Sequence, residues 1–587
     1  MARAPTKKAP KRARLPFREK LVLVRWALGL FGVETFEALA EPLKDDRLEG
    51  LDDDRLHRLH HAIVLHFRGL PELPVEQLLA YEQNLASHTI ALNERRLSRD
   101  EPPIVWKYFQ YLMLLFTEIY LDRLFRDPDA LLASINRAIA RWNDGTEGLD
   151  PKDAIELLDP EAPAWGQLNK LAFWSATGSG KTLLMHCHLR QYQHYLALHG
   201  QERQLNRIIL LTPNDGLSEQ HLVEFRAAGI AAQRFDPSGR GLFAGRFVEA
   251  LDINKLREEK GKQTVAVEAF EGNNLVFIDE GHRGASSGAR GTWMQFRAAL
   301  CEQGFSFEYS ATFGQAVGAD AGLTQLYARS ILFNYSYRYF YGDGYGKEYH
   351  ILNLDDGTEQ NHYETYLVAC LLAFFQQLRV FEEQGRLLRA TFRIERPLWV
   401  FVGGSVTAAL GERERSDILE ILGFLAKYVN PASRAAMVAA VGRVLSGKLL
   451  NDKGLDVFHR RFDHLARSGR SAAELYDESL ALVFNAPAGG ALHLVNLKTA
   501  AGEIALRVGE GSDVFGVINV GDDSKLLDQC RVAGMHTGDS ALGASVFHAL
   551  KRPDSRVHLL IGSRKFTEGW SSWRVSTMGL MNIGQGE

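Results

Sequence analysis

The feature that most constrains the fold is a glycine-rich segment, residues 175–182, with the sequence SATGSGKT. It follows an apolar run, residues 171–174, and precedes a helix-like stretch, residues 183–189. Small residues let successive backbone N–H groups curl around phosphate oxygens, and a helix start adds positive potential there. This order of strand, loop and helix predicts a phosphate-binding loop in an α/β domain.

The side chains of this loop predict a nucleotide triphosphate with Mg²⁺, and we expect ATP. Lys181 is expected to reach the β- and γ-phosphates, and the Thr182 hydroxyl is expected to hold Mg²⁺. The outer glycine of the common pattern is replaced by Ser175, while the inner TGSGKT is intact. The predicted nucleotide-binding residues are Thr177, Gly178, Ser179, Gly180, Lys181 and Thr182.

Two later motifs also close strand-like runs. Asp279, Glu280 and His282 follow the apolar residues 275–278, as expected of acidic residues at the carboxyl edge of a buried parallel strand. Asp279 is expected to hold Mg²⁺ through its water shell, and Glu280 to orient and polarise the attacking water. His282 and the segment Ser310, Ala311 and Thr312 are expected to couple the nucleotide to the rest of the protein, although a strand-end cap is the alternative for the latter.

TGSGKT, DEGH and SAT in this order resemble motifs I, II and III of superfamily 2 helicases of the DEAD/DEAH-box type. The form is most similar to the restriction (Res) subunit of type III restriction enzymes. Three further stretches carry the resemblance: Thr212-Pro213-Asn214 as motif Ia, Gly403-Gly404 as motif IV, and Glu568-Gly569-Trp570 as motif V, where Ser571 replaces the usual Asp. The resemblance implies ATP hydrolysis and backbone contacts from Thr212, Pro213, Gly403 and Gly404 to nucleic-acid phosphates.

The family's motif VI, which carries an arginine finger, would follow motif V but is not found before Glu587. A PD-(D/E)xK nuclease pattern is not found either. Truncation of the reading frame is the favoured interpretation, and residues supplied by a partner are the alternative. Since such an arginine contributes about 10³–10⁵ in rate, we expect the chain as printed to hydrolyse ATP weakly.

Composition places the protein among ordinary globular chains of several domains. Its 587 residues carry a formal net charge of −4, so any contact with nucleic acid is expected to be a local track. The basic tail, residues 1–16, is expected to be disordered, with phosphate contact as the alternative. Four scattered cysteines and the lack of an apolar leader favour a reducing cytoplasm, and no membrane span is expected.

The pattern along the chain predicts two tandem RecA-like, doubly wound parallel-sheet domains. A helical N-terminal domain is expected at residues 17–150, the first RecA-like domain at 165–325, and the second at 326–587. A mainly helical insertion, at about residues 408–508, is expected inside the second.

Two features left alternatives open. Gln110 lies far upstream of Lys181, where related helicases often read adenine with a Gln, but an exposed Gln on a structural helix is the favoured interpretation. The aromatic cluster at residues 335–349 could stack on bases, while core packing is favoured.

These observations predict an ATP-dependent nucleic-acid helicase or translocase. By resemblance alone, it would be the DNA motor of a bacterial restriction or phage-defence system, and a methyltransferase or specificity subunit would be a partner only by analogy. The alternatives are an RNA-directed helicase and a non-hydrolysing, ATP-gated nucleic-acid clamp. The residues fit DNA and RNA equally, because motor contacts are mainly to the phosphate backbone.

Overall fold

The computed structural model describes the following residues of the chain: 15–146, 150–235, 247–253, 256–257, 265–266, 272–281, 290–317, 320–346, 360–403, 417–447, 456, 458–500, 502–520, 523–540, 545–550, 552, 554–563 and 572–581. The chain divides into two compact units, Met1–Glu348 and Tyr349–Glu587. Among the described residues, no helix is both long enough and apolar enough to cross a membrane.

The first unit begins with helices and continues as alternating strands and helices. Its helices are α1 Val22–Leu30, α2 Phe36–Ala40, α3 Arg58–His66, α4 Val75–Leu97, α5 Tyr108–Arg126, α6 Pro128–Gly145, α7 Ala164–Leu168, α8 Lys181–Leu198, α9 Asp215–Ala227, α10 Arg290–Cys301, α11 Phe313–Val317, α12 Ala321–Ala328 and α13 Tyr337–Gly342. Its strands are β1 Lys170–Ser175, β2 Arg207–Thr212, β3 Ala232–Arg234, β4 Val248–Asp252, β5 Leu256–Arg257, β6 Val265–Ala266, β7 Asn274–Asp279, β8 Phe305–Ser310 and β9 Ile331–Tyr335.

Seven of these strands form one sheet in the order β3-β4-β2-β7-β8-β1-β9, and every pairing is parallel. The central strands β2, β7 and β8 are almost entirely buried, which explains why β2 and β7 read as apolar runs in the sequence. Because all strands run the same way, β1, β2, β7 and β8 end at one edge of the sheet. The loops that follow them therefore lie where open α/β sheets bind ligands.

The amino-terminal helices and this sheet share one hydrophobic core. Helix α5 is buried along nearly its whole length and packs on α8. The rings of Phe116 and Phe333, from α5 and β9, meet edge to face at 5.5 Å between centroids. The Tyr120 hydroxyl donates to the Leu168 carbonyl at 2.7 Å. The predicted helical region at 17–150 thus contributes to the same core as the first α/β region.

The second unit has its own sheet and its own core. Its helices are α14 Gln360–Phe392, α15 Asp417–Val429, α16 Arg434–Leu445, α17 Asp463–Arg467, α18 Ala472–Val483, α19 Asp523–Val532 and α20 Val546–Ala549. Its strands are β10 Leu398–Gly403, β11 Leu492–Leu497, β12 Glu503–Val508, β13 Gly516–Asn519, β14 His536–Ser540, β15 Leu559–Ser563 and β16 Val575–Met581.

The second sheet has the order β14-β11-β12-β13-β15-β10-β16. Its β11–β12 and β12–β13 pairings are antiparallel and the others are parallel. Strands β11 and β12 lie within the predicted insertion at about 408–508, so the described part of that segment adds two strands to this sheet as well as helices α15 to α18. The predicted fold class, two α/β domains built on mainly parallel sheets, is confirmed.

Candidate nucleotide site

The glycine-rich segment forms a tight loop between β1 and α8. Gly178 and Gly180 have φ angles of +87° and +93°, a region that residues with a side chain rarely adopt. Gly180 caps the amino end of α8, so Lys181 and Thr182 form the first turn of that helix. The backbone N–H of Ala176 donates to the Tyr335 carbonyl at 2.9 Å, which anchors the loop to β9.

The loop has the features required to bind phosphate. The amino end of an eighteen-residue helix points its free N–H groups and positive potential at this place. The Ser179 hydroxyl is buried and has no hydrogen-bond partner. The two glycines leave the inner face of the loop without side chains. These residues fit the phosphate groups of a nucleotide.

Gln110, on the first turn of α5, is bonded to the loop. Its Nε2 donates to the Ser179 carbonyl at 2.8 Å, and its Oε1 accepts from the Lys107 backbone N–H at 3.0 Å. A Cβ added to Gly180 would lie 2.6 Å from the same Nε2. The favoured interpretation of Gln110 as an exposed residue on a structural helix is therefore wrong, because its side chain holds the loop.

The glycine at 180 gives a testable prediction. We expect Gly180→Ala to weaken ATP binding about ten-fold or more, because an αL conformation costs a non-glycine residue about 1–3 kcal/mol and the methyl group also collides with Gln110. The affinity is measured by titration with a fluorescent ATP analogue. The double variant Gly180→Ala, Gln110→Ala removes the collision together with the Gln110–Ser179 hydrogen bond, so it should recover at most part of the loss. Unchanged affinity in the single variant would contradict the strained loop.

The acidic pair lies at the carboxyl end of β7, two strands from the loop in the same sheet. Asp279 accepts from the Glu280 backbone N–H through Oδ1 at 3.0 Å and from Nε2 of His221 through Oδ2 at 2.8 Å. Burial alone would raise the pKa of Asp279, but the His221 hydrogen bond and the nearby charge of Lys181 hold that pKa below its ordinary value. Asp279 is therefore a carboxylate, the form that binds Mg²⁺.

Glu280 connects the acidic pair to the phosphate loop. Its Oε1 lies 3.3 Å from Nζ of Lys181, and its backbone has a φ of +54°, which is uncommon for a residue with a side chain. The neighbouring Gly281 N–H donates to the Tyr309 carbonyl on β8 at 2.9 Å. The structure thus brings Lys181, Asp279 and Glu280 together, as the motifs require. His282 lies outside the described residues.

The SAT segment follows β8, beside the acidic pair. Ser310 is fully buried, and its hydroxyl accepts from the Thr312 N–H at 3.0 Å. The Ala311 carbonyl accepts from the Trp174 indole N–H of β1 at 3.0 Å. The segment is therefore bonded to β1, which leads into the phosphate loop, and it directly follows β8, whose Tyr309 carbonyl binds Gly281. This position suits a coupling role, and the hydrogen bond between Ser310 and Thr312 also caps the end of β8.

The other predicted contacts lie at the ends of β2 and β10. Thr212 and Pro213 are buried, whereas Asp215 and Gly216 of the same turn are exposed. The Thr212 hydroxyl forms a hydrogen bond with the Ser218 hydroxyl at 2.6 Å. Thr212 and Pro213 line a narrow crevice together with Asp279 and Glu280. Gly403 ends β10 in the second unit. Gly404, Glu568, Gly569 and Trp570 lie outside the described residues, as do residues 1–14 of the basic tail.

The aromatic cluster at residues 335–349 is partly core and partly surface. The ring of Tyr335 is buried and stacks on Phe109 at 3.8 Å between centroids. Tyr337, Tyr341 and Tyr345 are exposed. The favoured core interpretation therefore holds for Tyr335, and Tyr339 and Phe340 are partly buried and pack against the same core.

A buried ionic network beneath the acidic pair was not predicted. Glu308 of β8 pairs with Arg297 of α10, accepts from the Tyr327 hydroxyl at 2.8 Å, and binds Nζ of Lys170 at 2.7 Å. Arg297 also donates to the Gly281 carbonyl at 2.8 Å. The sequence signal was a Glu between the aromatic residues of β8, since a charge in a buried strand requires partners. The sequence gives no indication of which residues those partners are.

Oxygen donors suited to Mg²⁺ are present in Thr182 and Asp279, and the remaining positions would be filled by phosphate and water. Lys181 and the helix start supply positive charge for the phosphates. Glu280 carries a carboxylate on the same side. The donor set and the glycine-lined loop therefore fit Mg²⁺ with a nucleoside triphosphate.

Comparisons with known proteins agree with this geometry over part of the chain. The search of curated proteins found no match. A solved structure that matches is the helicase domain of Hef from Pyrococcus furiosus, at 12% sequence identity and a TM-score of 0.21, covering 68% of this chain and 94% of that one. The family model described as "Type III restriction enzyme, res subunit" matches residues 135–315, which hold the phosphate loop, the acidic pair and the SAT segment. Residues 135–315 are therefore similar to the res subunit of type III restriction enzymes, a helicase-type domain.

Proposed function

We propose that the chain is an ATP-hydrolysing motor that acts on nucleic acid, with DNA favoured, in a bacterial restriction or phage-defence system. One observation supports this proposal most: the loop lysine and the two strand-end carboxylates meet, with Lys181 Nζ 3.3 Å from Glu280 Oε1 and Asp279 next in the chain. A protein that only binds ATP has no need of a carboxylate that polarises water.

Each residue has a separate task in hydrolysis. The loop N–H groups and Lys181 bind the phosphates and balance the charge that develops on the transferring group. Thr182 and Asp279 would hold Mg²⁺, which neutralises phosphate charge when bound. Glu280 would orient the attacking water. Its carboxylate is paired with Lys181, so binding of phosphate by this lysine would replace the pairing and leave Glu280 for water.

The function is tested by steady-state ATP hydrolysis with single-stranded DNA, duplex DNA and RNA as separate additions. We expect DNA to raise the turnover number and RNA to compete poorly. Stimulation by RNA instead would favour the RNA-directed helicase. ATP binding with no turnover under any condition would favour the ATP-gated clamp.

Lys181→Ala is the matched loss-of-binding variant for this assay. Because a hydrogen bond to a charged group contributes about 1.5–3 kcal/mol, we expect ATP affinity to fall at least about ten-fold. Lys152→Ala serves as the control, since Lys152 is exposed on the same unit. Equal affinity in the Lys181→Ala and Lys152→Ala variants would show that the nucleotide binds elsewhere.

A further inference from the structure

A histidine from a neighbouring helix holds the proposed magnesium carboxylate. His221, on α9, is 2% exposed and its Nε2 lies 2.8 Å from Oδ2 of Asp279. The other carboxylate oxygen accepts the Glu280 N–H. Both oxygens of Asp279 are thus held in place, and the carboxylate plane is fixed by one backbone group and one side chain.

The surroundings of His221 show that its ring serves this one polar contact. Its Nδ1 is buried and has no hydrogen-bond partner. The groups that face it are the Phe225 ring, at 6.4 Å between centroids, and the buried His186 of α8. Because the Asp279 carboxylate can only accept, the His221 proton that makes the bond is on Nε2.

Helix α9 connects this contact to the turn after β2. Asn214 caps the helix by accepting from the Leu217 N–H at 2.9 Å. One turn before His221, the Ser218 hydroxyl pairs with Thr212 at 2.6 Å. The exposed end of the helix, at Asp215 and Gly216, directly follows Thr212-Pro213-Asn214, the stretch in which Thr212 and Pro213 are expected to meet nucleic acid. Because both lie on one helix, a shift of this end would also move His221.

We propose that His221 is a positioning residue that orients Asp279 for Mg²⁺ and links α9 to ATP turnover. This inference rests on the proposed function, because it assigns Asp279 to Mg²⁺. In this role His221 acts only through Asp279. A donor at its Nε2 position is what the carboxylate requires, and ring shape alone is not sufficient.

The test compares His221→Phe, which keeps a ring but has no donor, with His221→Gln, which keeps an amide N–H near the Nε2 position. The measurements are the Mg²⁺ concentration for half-maximal binding of a fluorescent ATP analogue, the same quantity for turnover, and the factor by which DNA stimulates hydrolysis. Since partners that orient metal ligands typically affect metal affinity or activity by about 10–100-fold, we expect His221→Phe to raise the Mg²⁺ requirement by such a factor. His221→Gln should recover part of it.

His186→Phe is the matched control, because His186 is also buried and its ring nitrogens have no hydrogen-bond partner. It should leave the Mg²⁺ requirement unchanged. A His221→Phe variant that binds the analogue with the Mg²⁺ dependence of the unaltered chain would overturn the positioning role. If His221→Phe raises the Mg²⁺ requirement but leaves the factor of DNA stimulation unchanged, the positioning role is kept and the link through α9 is rejected.

The outcome is separable from the proposed function. If the unaltered chain hydrolyses no ATP, the proposed motor function is refuted. The Mg²⁺ concentration needed to bind the analogue can still be compared between the unaltered chain and the His221 variants, so the positioning role is tested separately.

Discussion

Replacing Glu280 by Gln is expected to reduce the turnover number for ATP by about 10²–10⁴-fold, the usual contribution of a positioned general base. The amide keeps the size of the side chain but cannot take up a proton or polarise water as a carboxylate does. ATP affinity should stay equal or rise, because the substitution removes the Glu280–Lys181 ion pair and frees the lysine for phosphate. Single-turnover hydrolysis and analogue titration measure the two effects separately.

Glu302→Gln is the control for this experiment. Glu302 is an exposed residue just beyond α10, in the same unit. The control should hydrolyse ATP at the unaltered rate. If Glu280→Gln kept full turnover, Glu280 would not be the catalytic carboxylate, and the water would have to be activated by another group.

The second large effect concerns stability. Replacing Glu308 by Ala is expected to destabilise the first unit by about 3–5 kcal/mol, because Arg297 is left buried without its carboxylate. Urea-dependent hydrogen exchange of the peptide covering β8 measures the free energy of opening of this unit, separately from the second. Glu219→Ala, which breaks an exposed pair with Arg234, should cost less than about 1 kcal/mol.

A double variant distinguishes the two sources of this loss. Arg297→Met with Glu308→Leu removes both charges, so it should be less destabilising than Glu308→Ala alone. If the double variant were the less stable of the two, the network would contribute net stability beyond charge compensation.

The same network gives stability a pH dependence of known sign. Burial would raise the pKa of Glu308, but Arg297 and Lys170 hold it at about 2, below its ordinary value of 4.5. A carboxyl group with a depressed pKa in the folded state stabilises fully above its unfolded pKa. This contribution is therefore lost as the pH falls from about 4.5 towards 2, and Glu308→Ala should remove that part of the pH dependence.

The parts of the site that could be predicted are those encoded in contiguous residues. The loop and the acidic pair each follow an apolar run, the SAT segment follows a strand-like stretch, and parallel pairing then brings strand ends to one edge of the sheet. Lys181 and Glu280 were expected to meet for this reason. The two α/β domains follow from the same alternation of strand and helix.

The missed features depend on contacts between distant parts of the chain. Gln110 and Ser179 meet only because α5 packs on α8, and a single amide in a helical pattern gives no indication of its partner. His221 follows Gln220 in an ordinary amphipathic helix, and its contact with Asp279 is set by how α9 crosses the sheet. Likewise, helices at 17–150 were expected as a separate domain because their pattern is continuous, whereas their shared core with the sheet is a matter of packing.

The burial of α5 has a consequence for how this protein can be dissected. Anyone seeking a minimal ATP-binding fragment would naturally start cloning near residue 165, where the alternating pattern begins. Such a fragment would lose α5, which covers α8, and the Gln110 amide, which is hydrogen-bonded to the phosphate loop. It would also expose to solvent the apolar surface that the amino-terminal helices bury. The smallest workable piece for biochemistry therefore has to begin upstream of Val22.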